Sequence, residues 1–156
     1  MIVAFGTDHA GFPLREAVLH AITTAGHEPL DVGATTLDPE DDYPDFGRAA
    51  GEAVADGRAE RGIVVCGSGV GIAVAACKVP GVRAALCHDT FSARQGVEDD
   101  DMNVLALGAR VIGPSRATEL AKTFLTASFS GADRHVRRRT KVDAIEADAR
   151  LKPRDP

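Results

Sequence analysis

The sequence predicts an α/β domain built on a parallel sheet. Three observations lead there: five short, nearly unbroken apolar runs, longer segments of helical period between them, and Pro or Gly where the helical segments begin or end. The apolar runs are Ile2–Phe5, Glu28–Val32, Gly62–Cys66, Val82–Cys87 and Asn103–Ala106, and such continuous apolar character suits strands covered on both faces.

The elements follow in order. After the first run, Leu14, Ala17, Val18, Ala21, Ile22 and Ala25 recur at spacings of three and four, which gives one apolar helical face. Pro13 suits the start of that helix and Gly26 its end. The polar stretch Leu37–Asp42, LDPEDD, reads as a surface loop. Tyr43-Pro44 opens a second helix reaching about Ala55, and Pro114 opens another that carries Leu120, Ala121, Phe124 and Leu125. From Asp133 to about residue 150 the chain reads as a charged helix whose Val142, Ile145 and Ala149 are spaced to pack against something, such as a neighbouring subunit. All 156 residues fit a single domain, 1–156, with neither internal repeats nor low-complexity tracts.

Composition narrows the partners. A formal charge of −5 argues against nucleic acid as the ligand of the whole surface. Nothing resembles a signal segment or a membrane span, and the three cysteines, Cys66, Cys77 and Cys87, match neither a disulfide framework nor a zinc spacing. The expectation is a soluble chain of the reducing cytoplasm, without membrane or nucleic-acid partners.

In an open parallel sheet, ligands bind beyond the carboxyl ends of the strands. The residues there are Asp8 and His9 after the first strand, Cys66 to Gly71 after the third, and His88-Asp89 after the fourth. The turn Gly67-x-Gly69-x-Gly71 directs backbone N–H groups at an anion, although a tight strand-to-helix turn has the same composition. It has neither the lysine of a P-loop nor the spacing of a dinucleotide fingerprint. A thiol at a helix start is favoured as thiolate, so Cys66 is a candidate base, whereas Cys77 and Cys87 read as small core residues. Alone, Asp8 could cap a turn and His9 could be an ordinary loop residue. Cys87-His88-Asp89 resembles a nucleophilic triad in writing only, because consecutive residues leaving a strand diverge. Arg134, His135, Arg137, Arg138, Arg139 and Lys141 form the one basic cluster; such a run reads for several of its members as a solvated helix face, but Arg134 and Arg138, four apart on a helix, can grip one phosphate.

Four blocks resemble the type B ribose-5-phosphate isomerases and galactose-6-phosphate isomerase subunits: GTDHAG near the start, DYPDF at Asp42–Phe46, CGSGVGIAVAACKVPGVRAA at Cys66–Ala85 and NVLALGARVIG at Asn103–Gly113. The resemblance spans roughly Ile2 to Ile145. It implies a Rossmann-like three-layer α/β/α sandwich with a five-stranded parallel sheet, and an aldose–ketose isomerase working through an enediolate without metal or other cofactor. It also implies a small phosphorylated sugar as substrate, and a homodimer or dimer of dimers with sites at the subunit interface. By the same resemblance Cys66 is the base and Asp8 and His9 bind substrate. Gly67, Gly69, Val70 and Gly71, in the matching loop, surround the reacting end, while Arg110, Arg134 and Arg138 bind chiefly phosphate. Ser68 is placed to hydrogen-bond the thiolate or a substrate oxygen.

One departure stands out. Where the family generally carries a ring-opening histidine followed by an asparagine, this chain has Asp99-Asp100. A carboxylate is mostly ionised at neutral pH and is a poor general acid unless its environment alters it. Either Asp99 keeps the role, or His88 supplies the imidazole, or the substrate is acyclic, as a four-carbon sugar 4-phosphate would be. A slow pentose-phosphate enzyme and a non-catalytic sugar-phosphate-binding subunit are the alternatives. The register after Gly131 is loose, so Arg137 or Arg139 could stand in for Arg138.

Overall fold

The computed structural model describes residues 1–151, and the side chains of 1–149; the last five residues of the expected 1–156 domain lie outside the described residues. Five parallel strands, β1 (Ile2–Thr7), β2 (Glu28–Asp31), β3 (Arg61–Cys66), β4 (Ala84–Leu86) and β5 (Val104–Gly108), form one sheet in the order β2-β1-β3-β5-β4. Helices α1 (Arg15–Thr24), α2 (Tyr43–Ala55), α3 (Val70–Ala76) and α4 (Thr90–Asp100) connect them, and α5 (Pro114–Thr126) and α6 (Asp133–Leu151) follow β5. A short 3-10 turn, Phe12–Leu14, precedes α1 and contains Pro13.

Strand alternation sorts the core into two layers. Val3, Phe5, Ile63, Val65, Leu105 and Leu107 face one side and pack with residues of α1, α4 and α5, including Val18, Ile22, Leu120 and Phe124. Ala4, Val64, Cys66, Val104 and Ala106 face the other side and meet Ala50 and Ala53 of α2 and Ile72 and Ala76 of α3. The small side chains on the second side let α2 and α3 lie close to the sheet, and Gly47 allows their mutual approach: a Cβ there would lie 3.0 Å from Ile72. This is the expected three-layer α/β/α sandwich.

Boundaries differ from the sequence reading where pairing decides them. β4 has only three paired residues, because Val82 belongs to the preceding turn, where its N–H donates to Val79. β5 extends to Gly108, since Leu107 and Gly108 stand opposite Val65 and Cys66. Along α6, Val142 and Ile145 are 53% and 69% exposed and border an open groove shared with Cys77 and Val82. No described helix is long and apolar enough to cross a membrane.

Candidate active site

The sheet order reverses direction between β1 and β3. The chain leaves β1 toward α1 on one face and leaves β3 into α3 on the other, which opens a crevice at their carboxyl ends. Asp8 and His9 stand on its β1 side, and Cys66 to Gly71 on its β3 side.

Asp8 is 3% exposed, and its Oδ1 accepts the Gly11 N–H at 2.8 Å, which folds the turn back on itself. The backbone N–H of His9 donates to Asp41 Oδ1 at 3.0 Å, and its ring Nδ1 lies 2.6 Å from the same oxygen. Asp41 comes from the loop joining β2 to α2. The ligand-type atoms of Asp8, His9 and Asp41 all lie within 4.8 Å of one another. The hydrogen bond from Asp41 raises the His9 pKa above its ordinary value, despite opposing desolvation.

Cys66 is 5% exposed and turned to the α3 side of the sheet. Its Sγ accepts the Gly69 N–H at 3.1 Å. That contact depends on Gly69, which has φ +81° and sits where a Cβ would fall 2.8 Å from the Leu107 carbonyl carbon. Ser68 and Val70 are exposed, and the Val70 N–H donates to Ser68 Oγ at 3.3 Å. Over Gly71 lies the ring of Tyr43, 2.7 Å from where a Cβ would stand.

The turn after β5 is tied to this loop. Ala109 and Arg110 donate their N–H groups to the carbonyls of Cys66 and Gly67, each at 2.9 Å, and the Arg110 side chain lies against Gly67. His88 Nε2 accepts the Gly108 N–H at 3.0 Å, which assigns the proton of the neutral ring to Nδ1, and burial lowers its pKa. Cys87 is buried on the α1 and α5 side, where desolvation pushes its thiol up to about 11. Asp89 caps α4 by accepting the Ser92 N–H at 2.7 Å. Cys87, His88 and Asp89 thus serve three separate places, as their divergence from a strand requires.

The remaining expected residues stand elsewhere. Helix α4 leaves the site edge at Thr90 and runs 11 residues, about 16 Å, back toward the amino edge of the sheet. Asp99 and Asp100 end it, on the side of the sheet away from Cys66. Asp99 accepts a hydrogen bond from Gln95 at 2.8 Å, and its Oδ1 lies 3.3 Å from Nδ1 of His135, a residue of α6 that is 3% exposed and also bonded to Ser130 Oγ at 2.7 Å. Arg134, Arg137 and Arg138 are exposed on α6. Arg139 instead turns inward, 2.9 Å from Asp101, with its guanidinium over the Phe129 ring. One chain therefore holds the thiol, His9 and Arg110 at one edge and Asp99, Arg134 and Arg138 at the other.

Residues 3–142 match the family model described as Ribose/Galactose Isomerase. The chain belongs to that family. The ribose/galactose isomerase fold is shared closely with type B ribose 5-phosphate isomerase from Trypanosoma cruzi, at a TM-score of 0.92 and 43% identity over 95% of this chain and 99% of that one. Among curated relatives, the ribose-5-phosphate isomerase B of Escherichia coli is 39% identical over 92% of this chain and 95% of its own length. The D-erythrulose-4-phosphate isomerase of Pectobacterium atrosepticum is 38% identical over 83% of this chain and 85% of its own. Membership makes the chain an isomerase by class.

Two residues at the edges of this family pattern escape the sequence reading. Asp41 lies in the stretch read as a surface loop, yet β2 is the neighbour of β1, so the loop leaving β2 passes beside His9. The rule about carboxyl ends of strands applies to β2 as well and would have found it. His135 belongs to a run read as basic surface, and no local pattern marks which member of such a run is buried.

Proposed function

We propose that this ribose/galactose isomerase interconverts an aldose phosphate and a ketose phosphate through an enediolate, with Cys66 as the base. The observation that carries this is the buried Cys66 sulfur receiving the Gly69 amide at the mouth of the β1–β3 crevice. The amide fixes the sulfur at the crevice, and it is the thiolate form of a cysteine that accepts a proton. The thiolate removes a proton from the carbon beside the carbonyl and returns it to the neighbouring carbon. Meanwhile the carbonyl π pair moves onto its oxygen, a proton passes from the neighbouring hydroxyl oxygen to that oxygen, and the new carbonyl forms at the second carbon, so no electrons enter or leave the substrate. Backbone N–H groups of the Gly67–Gly71 turn other than those of Gly69 and Val70, which are committed to Cys66 Sγ and Ser68 Oγ, would receive the enediolate oxygen as charge develops on it, and the Ser68 hydroxyl stands beside them. Asp8 would hold a sugar hydroxyl, and His9 and Arg110 would face the phosphate end.

The residues left at the amino edge complete this site from a second copy. Arg134 and Arg138 are exposed, four apart on α6, and the largely exposed Val142 and Ile145 on the same helix give a partner an apolar seat. The working unit is therefore a homodimer or a dimer of dimers, in which the partner's α4 end and α6 close the pocket.

For the substrate, Asp99 favours a four-carbon sugar 4-phosphate over ribose 5-phosphate. It stands where the family carries its ring-opening imidazole, and His88 is committed to the Gly108 N–H and a poor substitute. A tetrose 4-phosphate has no hydroxyl free to close a five-membered ring and needs no such acid. The erythrulose phosphate in the name of the P. atrosepticum relative supports the same reading. Initial rates of the purified chain on ribose 5-phosphate and on erythrulose 4-phosphate test it, with the larger kcat/KM expected for the tetrose. A clear pentose preference would reject the tetrose reading, and binding of both compounds without turnover of either would reject the isomerase.

A further inference from the structure

We propose that Asp41 is a positioning residue: it holds the His9 imidazole protonated and fixed, so that the opposite nitrogen, Nε2, presents its N–H to the substrate phosphate. This rests on the sugar-phosphate reading above and adds a residue to it.

One oxygen of Asp41 does two jobs. Its Oδ1 accepts the His9 backbone N–H at 3.0 Å and faces the ring Nδ1 at 2.6 Å, so main chain and ring are both fixed to a residue 32 positions away. A separation of 2.6 Å between nitrogen and carboxylate oxygen requires a proton between them, which places a hydrogen on Nδ1. The other oxygen, Oδ2, is buried and has no hydrogen-bond partner among the described residues. A buried, unmatched carboxylate oxygen weakens a fold, so stability alone is a poor reason for this carboxylate.

The far side of the ring is open. The His9 side chain is 31% exposed at the crevice. The charged groups acting on it are Asp8 on its own turn and Asp41 on the β2–α2 loop, while Arg110 on the β5–α5 turn lies against Gly67, as does Ala10. Both carboxylates favour the imidazolium, with the Asp41 hydrogen bond the largest influence and desolvation opposing it. A charged N–H donor binds a phosphate oxygen well, whereas a neutral ring whose Nε2 carries a lone pair repels it. The carboxylate thus extends the pH range over which His9 is a phosphate donor.

The test is Asp41→Asn, which keeps shape and an acceptor for the backbone N–H while removing the charge. KM and kcat are measured from about pH 6 to 8.5, and the His9 ring is titrated by NMR, its signal assigned with His9→Gln. At about pH 7.5 the variant should show KM raised roughly tenfold, the loss of one charge-assisted contact, with kcat within about twofold. KM should approach the parent value as pH falls below about 6.5, where a free imidazole is charged anyway. In a His9→Gln background, Asp41→Asn should add no further loss, a result a merely structural role would not give. An unchanged His9 titration, or an equal rise in KM in the His9→Gln background, would overturn the proposal. Should the parent enzyme turn over neither sugar phosphate, the functional reading fails by itself, while the His9 titration still decides whether Asp41 clamps the ring.

Discussion

The Gly69 amide donates to the Cys66 sulfur at 3.1 Å across a turn that only a residue of positive φ can make. The thiol is therefore held at the end of β3 by the backbone of the loop that follows it. The register of Cys66 opposite Gly108 fixes the same sulfur against the neighbouring strand.

Gly69→Ala should disrupt both fold and site. A Cβ there would meet the Leu107 carbonyl carbon at 2.8 Å and Leu86 Cδ1 at 2.5 Å, in a backbone conformation that side chains disfavour. The left-handed conformation alone costs about 1–3 kcal/mol, and the backbone contact adds to it. Urea unfolding should show a lower midpoint with an unchanged m-value, and activity should fall by more than the folded fraction does.

Protonating His88 should destabilise the protein. Burial lowers its folded pKa below the unfolded value, so between the two the unfolded chain binds more protons and stability rises with pH. That contribution is complete above about pH 6.5 and is lost as pH falls through the folded pKa, when Nε2 can no longer accept the Gly108 N–H. Unfolding free energy measured from about pH 5 to 8 should show this slope, and His88→Gln should remove it.

Much of this fold is legible in the sequence because β1, β3 and β5 are buried along nearly their whole length and Pro13, Pro44 and Pro114 stand at or just before helix starts. Asp8, His9 and Cys66 to Gly71 are also found by a local rule, since each immediately follows a strand. Asp41 is harder: its role depends on β2 pairing beside β1, a non-local fact. His135 is harder still, because it lies between exposed arginines and its burial comes from packing at the end of α4. The short length of β4 likewise reflects pairing against β5 and not its own composition, which is apolar for longer.

Complementation should reveal a site made by two copies. Cys66→Ala and Arg138→Ala proteins, each inactive alone, are unfolded together, refolded as a mixture and assayed. Random pairing gives half hybrid dimers, each with one intact site, so roughly a quarter of wild-type activity should return. A mixture as inactive as its components would mean that Arg138 serves a site in its own chain.

Cys66, as the proposed base, moves the proton between the two carbons. In deuterium oxide, the wild-type enzyme should incorporate deuterium from solvent at the carbon beside the carbonyl during turnover, read by NMR. Cys66→Ala should lose this exchange by roughly 10²- to 10⁴-fold, the contribution expected of a positioned base, while substrate affinity changes only a few-fold. Exchange at the wild-type rate in Cys66→Ala would rule out Cys66 and place the base on another residue.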